Sequence, residues 1–375
     1  MKAAYIHIPF CEHICHYCDF NKFFLKGQPV DEYVNLLIKE MQISLTKQPT
    51  KNVETIFVGG GTPTALNEQQ LEKLCEGIRR TLPFEQGEFT FEANPGDLTL
   101  DKMKILKEYG VNRLSFGVQA FQDHLLEKIG RSHRVKDVYT SIEHAKEIGF
   151  ENISVDLIYA LPTQTVEDFK VTLEHALALD LPHYSAYSLI VEPKTVFYNL
   201  MRKGQLRLPG EDQEAEMYRV LKEEMYKHGK NHYEISNFAN EGYESKHNLV
   251  YWENNHYYGF GAGAHGYIDG ERYSNAGPLK KYMSPLSEGK LPIFEKHSVT
   301  KKEMMEEEMF LGLRKISGVS IEHFQQKFSI HPLDVFKQSI NEMVDKGLLQ
   351  VKNDKILLTD RGHYLGNEVF QAFLL

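Results

Sequence analysis

The chain has 375 residues, of which 42% are hydrophobic and 25% are charged, and its formal net charge is −9 at pH 7. This composition is typical of a globular protein with a large core and two domains, and the acidic balance argues against broad binding to nucleic acid. The first residues lack the apolar core of a secretory signal, and no run approaches the roughly 18–20 apolar residues of a membrane span, so we expect a cytoplasmic protein.

The first half of the chain alternates β-rich segments with helical patterns. The predicted strands cover residues 3–8, 55–59, 88–92, 113–118, 153–159 and 183–190. The predicted helices cover residues 31–45, 67–80, 99–108, 134–148 and 165–178. Such alternation predicts βαβ units and a parallel sheet, with functional residues at the carboxyl ends of the strands. Six strands are too few for a closed eightfold barrel, so we predict an α/β fold with a partial (β/α)6 barrel over residues 1–200.

The second half of the chain is less regular. Residues 201–300 are interpreted as a connecting region, with one helix over 211–228 and weak periodicity after it. Residues 301–375 predict a winged-helix-like α+β domain that ends in a hairpin turning at Asn353 and Asp354. The three predicted helices of this domain cover residues 304–313, 321–328 and 334–347. Because this segment is not basic, a protein-contact or lid role is favoured over DNA binding.

Three of the four cysteines lie within eight residues, directly after the first predicted strand. The spacing Cys11-x-x-x-Cys15-x-x-Cys18 allows one loop to bring three thiolates to a single centre. Zinc would need a fourth protein ligand, such as His13 or His16, whereas an iron–sulfur cube could leave one iron open for a small molecule. The local sequence favours the cluster but leaves both centres open. Cys75 falls on the apolar face of a predicted helix, so it is expected in the core.

Polar or glycine-rich positions follow the next four strands as well. They comprise the turn Gly59-Gly60-Gly61-Thr62, then Glu92, Gly117-Val118-Gln119 and Asp156. The glycines allow a ligand to approach the backbone closely, although such a turn could simply start a helix. Asp156 alone could equally be a structural carboxylate paired inside the protein. Because all these positions lie near one edge of the predicted sheet, we interpret them together as one ligand site.

The motifs resemble those of a known family. YIHIPFCEHICHYCDF, GGGTPT, EANPG, SFGVQAF, GRSH, DLIYALP and KHNLVYW together resemble the radical S-adenosylmethionine superfamily, in particular its oxygen-independent coproporphyrinogen III oxidase group and the heme chaperone branch of that group. The resemblance extends over nearly the whole chain. It implies a [4Fe–4S] cluster on Cys11, Cys15 and Cys18, with S-adenosylmethionine on the free iron. The implied contacts to S-adenosylmethionine are Tyr5, Tyr17, Gly60, Gly61, Thr62, Glu92, Gln119, Arg131 and Asp156.

Two features bear on function within this group. The oxidases have a further cysteine two residues after the third, where this chain has Phe20, and this departure weakens the interpretation as a decarboxylating oxidase. Residues 247–252 match the HNxxYW signature of the chaperone branch. His247 is therefore a candidate heme-iron ligand, with His265 as a second candidate, although His247 could instead be a packed core histidine. The alternative for Arg131 is an ordinary surface arginine.

The resemblance implies a heme chaperone that carries heme as cargo to respiratory membrane proteins. It would work in the cytoplasm and transiently at the membrane surface, and a homodimer is compatible with this role. The second hypothesis is oxidative decarboxylation of coproporphyrinogen III through a 5′-deoxyadenosyl radical. A zinc-stabilised binding module is the third.

Overall fold

The computed structural model describes residues 1–374. Strands and helices alternate through its first half, as the sequence predicts. The strands are β1 (Ala3–Ile8), β2 (Phe10–Cys11), β3 (Phe23–Phe24), β4 (Thr55–Gly60), β5 (Glu88–Ala93), β6 (Arg113–Gln119), β7 (Asn152–Tyr159) and β8 (His183–Ser188). The helices are α1 (Val30–Lys47), α2 (Glu68–Thr81), α3 (Leu100–Glu108), α4 (Asp123–Lys128), α5 (Val135–Glu147), α6 (Val166–Ala178), α7 (Val196–Arg202) and α8 (Glu211–Lys227).

The centre of the fold is a parallel sheet. Strands β1, β4, β5, β6, β7 and β8 lie side by side in this order, and each pair runs parallel. Nearly every residue of β4, β5 and β6 is buried, as expected for strands covered on both faces. Within residues 1–374 the sheet stays open at both edges. The predicted α/β fold with a partial, unclosed barrel is confirmed.

Residues after α8 extend this sheet on both sides. The added strands are β9 (Asn231–Glu234), β10 (Asn237–Ala239), β11 (Tyr257–Phe260), β12 (His265–Ile268), β13 (Glu271–Asn275) and β14 (Ile293–Ser298), and the added helices are α9 (Lys246–Trp252) and α10 (Leu279–Ser287). β10 and β9 continue antiparallel from β8, whereas β11 pairs parallel with β1 and leads into the antiparallel β12–β14. The sequence predicted no strand in this region. The reason is visible in β14, where no residue is buried and the periodic signal is therefore weak.

A buried carboxylate connects the parallel sheet to this extension. Glu40 of α1 is 2% exposed and accepts hydrogen bonds from the Gly261 backbone N–H (2.8 Å), Asn275 Nδ2 (2.6 Å) and the Tyr282 hydroxyl (2.6 Å). Burial raises the pKa of Glu40 to about 7. Elsewhere in the same core, Cys75 of α2 is fully buried, which confirms its predicted packing role.

The C-terminal residues form a second, smaller hydrophobic core. Its elements are α11 (Lys301–Gly312), β15 (Val319–Ser320), α12 (Ile321–Phe328), α13 (Pro332–Val335), α14 (Lys337–Asp345), β16 (Leu349–Lys352), β17 (Lys355–Leu358), α15 (Asp360–Tyr364) and α16 (Gly366–Gln371). Asn353 and Asp354 connect β16 and β17 with φ of 51° and 59°, the left-handed conformation of a tight hairpin turn. The Arg314 guanidinium lies 4.4 Å from the Trp252 ring centre, so this unit contacts α9. None of the helices within residues 1–374 has the length and apolar character needed to cross a bilayer.

Candidate functional site

One cleft lies at the carboxyl ends of the parallel strands. It has a volume of about 700 Å³, including space open to solvent, and is lined by the three cysteines and by every residue predicted to contact S-adenosylmethionine except Tyr5. The heme candidates His247 and His265 do not line it. The residues come from loops and strand ends far apart in the sequence, and the parallel sheet brings them to one edge. The structure therefore assembles the predicted positions into one site. The ligands that each residue would contact remain a prediction.

The three cysteines are free thiols around this cleft. Cys11 ends β2 and is buried, while Cys15 and Cys18 are half-buried in the loop that follows. The Thr62 hydroxyl lies 3.7 Å from Cys11 Sγ, and Arg131 Nη1 donates to Cys15 Sγ at 3.5 Å. Burial raises the pKa of the Cys11 thiol to about 11. Among residues 1–374, no three His, Cys, Asp or Glu side chains form a group that could hold a single metal ion.

The glycine turn after β4 leaves no room for side chains. A Cβ atom on Gly59 would lie 2.7 Å from Glu92 Oε2. A Cβ atom on Gly61 would lie 2.8 Å from the Phe10 carbonyl oxygen and 2.9 Å from Cys11 Sγ. Gly60 has a φ of +117°, a conformation that favours glycine, and its N–H donates to Glu92 Oε2 at 3.0 Å. The turn therefore packs directly against the cysteine loop. A turn that served only to start a helix would not need this contact.

Arg131 lies inside the cleft and not on the surface. Its Nη2 donates to Asn94 Oδ1 at 2.7 Å and to the Gly117 carbonyl at 2.6 Å. With the contact to Cys15, these bonds hold the guanidinium across the cleft between the cysteine loop and the ends of β5 and β6. A guanidinium held in this way presents a fixed positive charge suited to a carboxylate. The interpretation of Arg131 as an ordinary surface arginine is not supported.

Two carboxylates face the cleft without a cationic partner. Neither Glu92 nor Asp156 has an ion pair within 4.0 Å in the described part of the chain. The Ser115 hydroxyl donates to Asp156 at 3.2 Å. Burial and the nearby Asp156 raise the pKa of Glu92 to about 8, and burial raises the pKa of Asp156. Carboxylates held at such a cost, without an internal ion pair, are typical of ligand sites.

Tyr5 and His247 line a second cavity that borders the first. This cavity encloses about 720 Å³ between the parallel strands and α9, and Phe20, Glu92, Ser115 and Asp156 line both spaces. Tyr5 faces it, with its hydroxyl 3.0 Å from His7 Nδ1. Ser115 was not singled out from the sequence. It could have been found, because it lies two residues before Gly117 in β6 and therefore faces the same side of the sheet.

His247 is more constrained than a free metal ligand. It is 1% exposed, its Nδ1 lies 2.9 Å from the Thr55 hydroxyl, and its Nε2 lies 2.8 Å from the Tyr251 hydroxyl. Its backbone N–H donates to Glu88. Burial lowers the pKa of His247 to about 3, so the ring is neutral. Both ring nitrogens thus have partners, as expected for the packed-histidine alternative. The second candidate, His265, is exposed at the start of β12.

Comparison with known proteins extends these observations. The profile of the radical SAM superfamily matches residues 5–176, and that of the HemN C-terminal domain matches residues 299–365. The chain is 57% identical to Heme chaperone HemW of Bacillus subtilis, with 100% of this chain and 99% of that protein covered. It is 49% identical to Heme chaperone HemW of Lactococcus lactis, over 100% of this chain and 97% of that protein.

A solved structure supports the same assignment at the level of the fold. Coproporphyrinogen III oxidase (HemN) from Escherichia coli, a radical SAM enzyme, superposes with a TM-score of 0.86 at 24% identity, over 99% of this chain and 90% of that one. This likeness concerns the fold alone. The full-length identity to the chaperones confirms the family resemblance found in the sequence motifs. This chain belongs to the heme chaperone HemW family of the radical SAM superfamily.

Proposed function

We propose that this protein is a heme chaperone that binds heme in the cytoplasm and delivers it to respiratory membrane proteins, transiently at the membrane surface. The observation that carries the proposal is the 57% identity, over the entire chain, to a protein named as a heme chaperone. Phe20 is a second support. It occupies the position of the additional cysteine of the oxidases, is 62% exposed and borders both cavities, and it has no group that could act as a ligand.

The radical SAM superfamily implies a [4Fe–4S] cluster and S-adenosylmethionine as cofactors. Cys11, Cys15 and Cys18 would hold the cluster, and three thiolates suit a centre with one coordination position left to a small molecule. The donor set fits, because the three thiols line one cleft and the Gly61 backbone approaches Cys11 where a side chain could not. When bound, the cluster supplies one-electron chemistry and an open iron site.

The chain's own residues would orient S-adenosylmethionine. Gly60, Gly61 and Thr62 offer backbone groups and a hydroxyl to its methionyl part, and Arg131 offers a fixed cation to its carboxylate. Glu92 and Asp156 can accept hydrogen bonds from ribose hydroxyls, as acidic residues do in nucleotide sites. Tyr17 and Gln119 complete the lining of the same cleft, and Tyr5 faces the neighbouring cavity.

His247 is proposed as the heme-iron ligand, with a condition set by its contacts. Iron could bond to Nε2 only after the Tyr251 hydroxyl moves away, or to Nδ1 only after the Thr55 hydroxyl moves away. A neutral imidazole is the form that ligates iron, and the low pKa of His247 keeps it neutral at all physiological pH values. Heme binding would therefore be accompanied by a local rearrangement around His247, of the Tyr251 side chain in α9 or of the Thr55 side chain in β4.

The test is a heme titration of anaerobically prepared, cluster-loaded protein. We expect a saturable Soret shift with about one heme per chain, weakened in His247→Ala and unchanged in the control His228→Ala, which removes an exposed histidine at the end of α8. The same preparation, given a reductant, S-adenosylmethionine and coproporphyrinogen III, should form no protoporphyrinogen under conditions in which a true oxidase does. Absence of saturable heme binding would overturn the proposal, and product formation would replace it with the oxidase.

A further inference from the structure

A buried arginine lies unpaired in the second cavity. Arg113, the first residue of β6, is 2% exposed. Its Nη1 donates to Asn152 Oδ1 at 2.8 Å and to the Tyr243 carbonyl at 3.4 Å, but its Nε has no hydrogen-bond partner. No ion pair joins Arg113 to any carboxylate of residues 1–374. A guanidinium does not lose its proton in a protein, so a full positive charge is buried there with no carboxylate in direct contact.

None of the groups around Arg113 forms an ion pair with it. His183 faces the same cavity, and burial together with Arg113 lowers its pKa, so it is uncharged. Glu92 and Asp156 line the cavity as well, and burial raises the pKa of both, an effect that the charge of Arg113 partly offsets at Asp156. Neither carboxylate lies within 4.0 Å of the guanidinium, so neither forms an ion pair with it. Burying an unpaired charge is costly, and proteins usually retain one where a ligand supplies the opposite charge.

The cavity walls indicate what kind of ligand carries that charge. Aromatic side chains form much of the lining: Tyr5, Phe57, Tyr187 and Tyr251. The polar part of the lining includes the Arg113 guanidinium, the Glu92 and Asp156 carboxyl groups, and the side chains of Ser115, Ser185, Ser245 and Asn248. An aromatic wall beside one permanent cation suits a flat aromatic molecule that bears a carboxylate.

We propose that Arg113 binds a propionate carboxylate of heme and thereby seats the cargo in the cavity between β6 and α9. The proposal rests on the proposed function and adds to it the cavity and the residue that recognise the cargo. His247 lines the same cavity, so the proposed iron ligand and the proposed carboxylate partner are on one surface. The free Nε of Arg113 would gain the hydrogen-bond partner that it lacks, and the carboxylate would place a negative charge in direct contact with the guanidinium.

The test compares heme with heme dimethyl ester, whose carboxylates are blocked, on the full-length cluster-loaded protein. Loss of a hydrogen bond to a charged group weakens binding roughly 10- to 100-fold, so we expect wild type to bind the ester weaker by this factor. Arg113→Gln should weaken heme binding by a similar factor and leave ester binding unchanged. Arg113→Lys should retain part of the preference for heme. The control Arg80→Gln removes an exposed, surface-paired arginine and should change neither affinity.

Equal affinities of wild type for heme and its ester would overturn the proposal, and this comparison does not depend on whether Arg113→Gln folds. A folded Arg113→Gln that still prefers heme would overturn it as well. If wild type binds no heme, the proposed function fails, and thermal unfolding in sodium propionate then tests the anion site by itself. A carboxylate site would be retained if propionate raises the unfolding temperature of wild type but not that of Arg113→Gln, and if sodium chloride at the same concentration does not raise the unfolding temperature of wild type. The absence of that difference would reject it.

Discussion

The packing of the glycine turn against the cysteine loop can be tested by a substitution that leaves the three cysteines unchanged. Gly61→Ala adds one methyl group whose carbon would lie 2.8 Å from the Phe10 carbonyl oxygen, 2.9 Å from Cys11 Sγ and 3.0 Å from the Ile8 carbonyl oxygen. The first distance is 0.6 Å shorter than the 3.4 Å at which ordinary van der Waals contact begins.

The atoms in the way cannot move freely. The Ile8 carbonyl accepts from the Gly61 N–H at 2.9 Å, and the Phe10 carbonyl accepts from the Thr62 N–H at 2.8 Å. Relief of the clash would stretch these bonds and displace Cys11 together with the end of β1. Overpacking of this kind costs about 1–3 kcal/mol of unfolding free energy. We therefore expect a lower unfolding free energy and, because Cys11 is displaced, less than half of the wild-type iron per chain.

The assay is anaerobic reconstitution followed by iron and sulfide analysis, together with urea unfolding of the metal-free protein. Gly210→Ala is the matched control. Gly210 has a φ of −73°, and its added carbon would meet no atom within 4 Å, so the iron content should not change and the stability should change by about 1 kcal/mol at most. A Gly61→Ala protein with full iron content and wild-type stability would refute the packing of this turn against the cluster loop.

Three further outcomes are expected. Cys15→Ala should lose the brown colour and the cluster absorption and keep its unfolding free energy within about 0.5 kcal/mol of wild type. The core variant Cys75→Ala should keep its iron, and its unfolding free energy should fall by about 1 kcal/mol. Wholesale unfolding of Cys15→Ala would instead mean that the loop is needed for the fold. The pKa of Glu40 is about 7 in the folded protein and about 4.5 in the unfolded chain. Between these pH values the folded state therefore binds more protons than the unfolded chain. The unfolding free energy consequently falls as the pH rises from about 4.5 to about 7, by about 3 kcal/mol at most. Glu40→Gln should show a correspondingly smaller fall between pH 5 and pH 8 in urea unfolding, and equal slopes for both proteins would contradict the assignment. Tyr251→Phe removes the hydrogen bond to Nε2 of His247, which is worth about 0.5–1.5 kcal/mol. Heme binding should therefore become roughly 2- to 10-fold tighter in the Soret titration. An unchanged affinity would mean that another group ligates the iron.

The sequence predicted the parallel sheet well because its signal is local. Each of the six strands is a short run rich in β-branched, aromatic or other apolar residues, and several helices begin with recognisable caps, such as the capping box of Asn67 and Gln70 that starts α2. The extension of the sheet was missed because its strands depend on distant partners. β11 pairs with β1, more than 250 residues earlier, and no residue of β14 is buried, so neither strand could be identified from its own residues.

The candidate site was predictable to a similar extent and for a related reason. The cysteine loop and the glycine turn are compact motifs, and parallel strands bring their carboxyl ends together whatever the details of packing. The environment of His247 was not predictable, because it is set by Thr55, 192 residues away. Arg113 was missed because its significance lies in an unpartnered Nε and the absence of a direct ion pair, which only the assembled cavity reveals.

The most direct test of the proposed function is transfer of heme to membranes. Cluster-loaded protein carrying one heme would be mixed with membrane vesicles from heme-starved cells, and the absorption of b-type cytochromes in the vesicles would be followed over time. We expect heme to leave the chaperone and the cytochrome bands to appear faster than from heme–serum albumin at the same concentration. Heme that remains on the chain, or that reaches the cytochromes no faster than from albumin, would contradict the proposal.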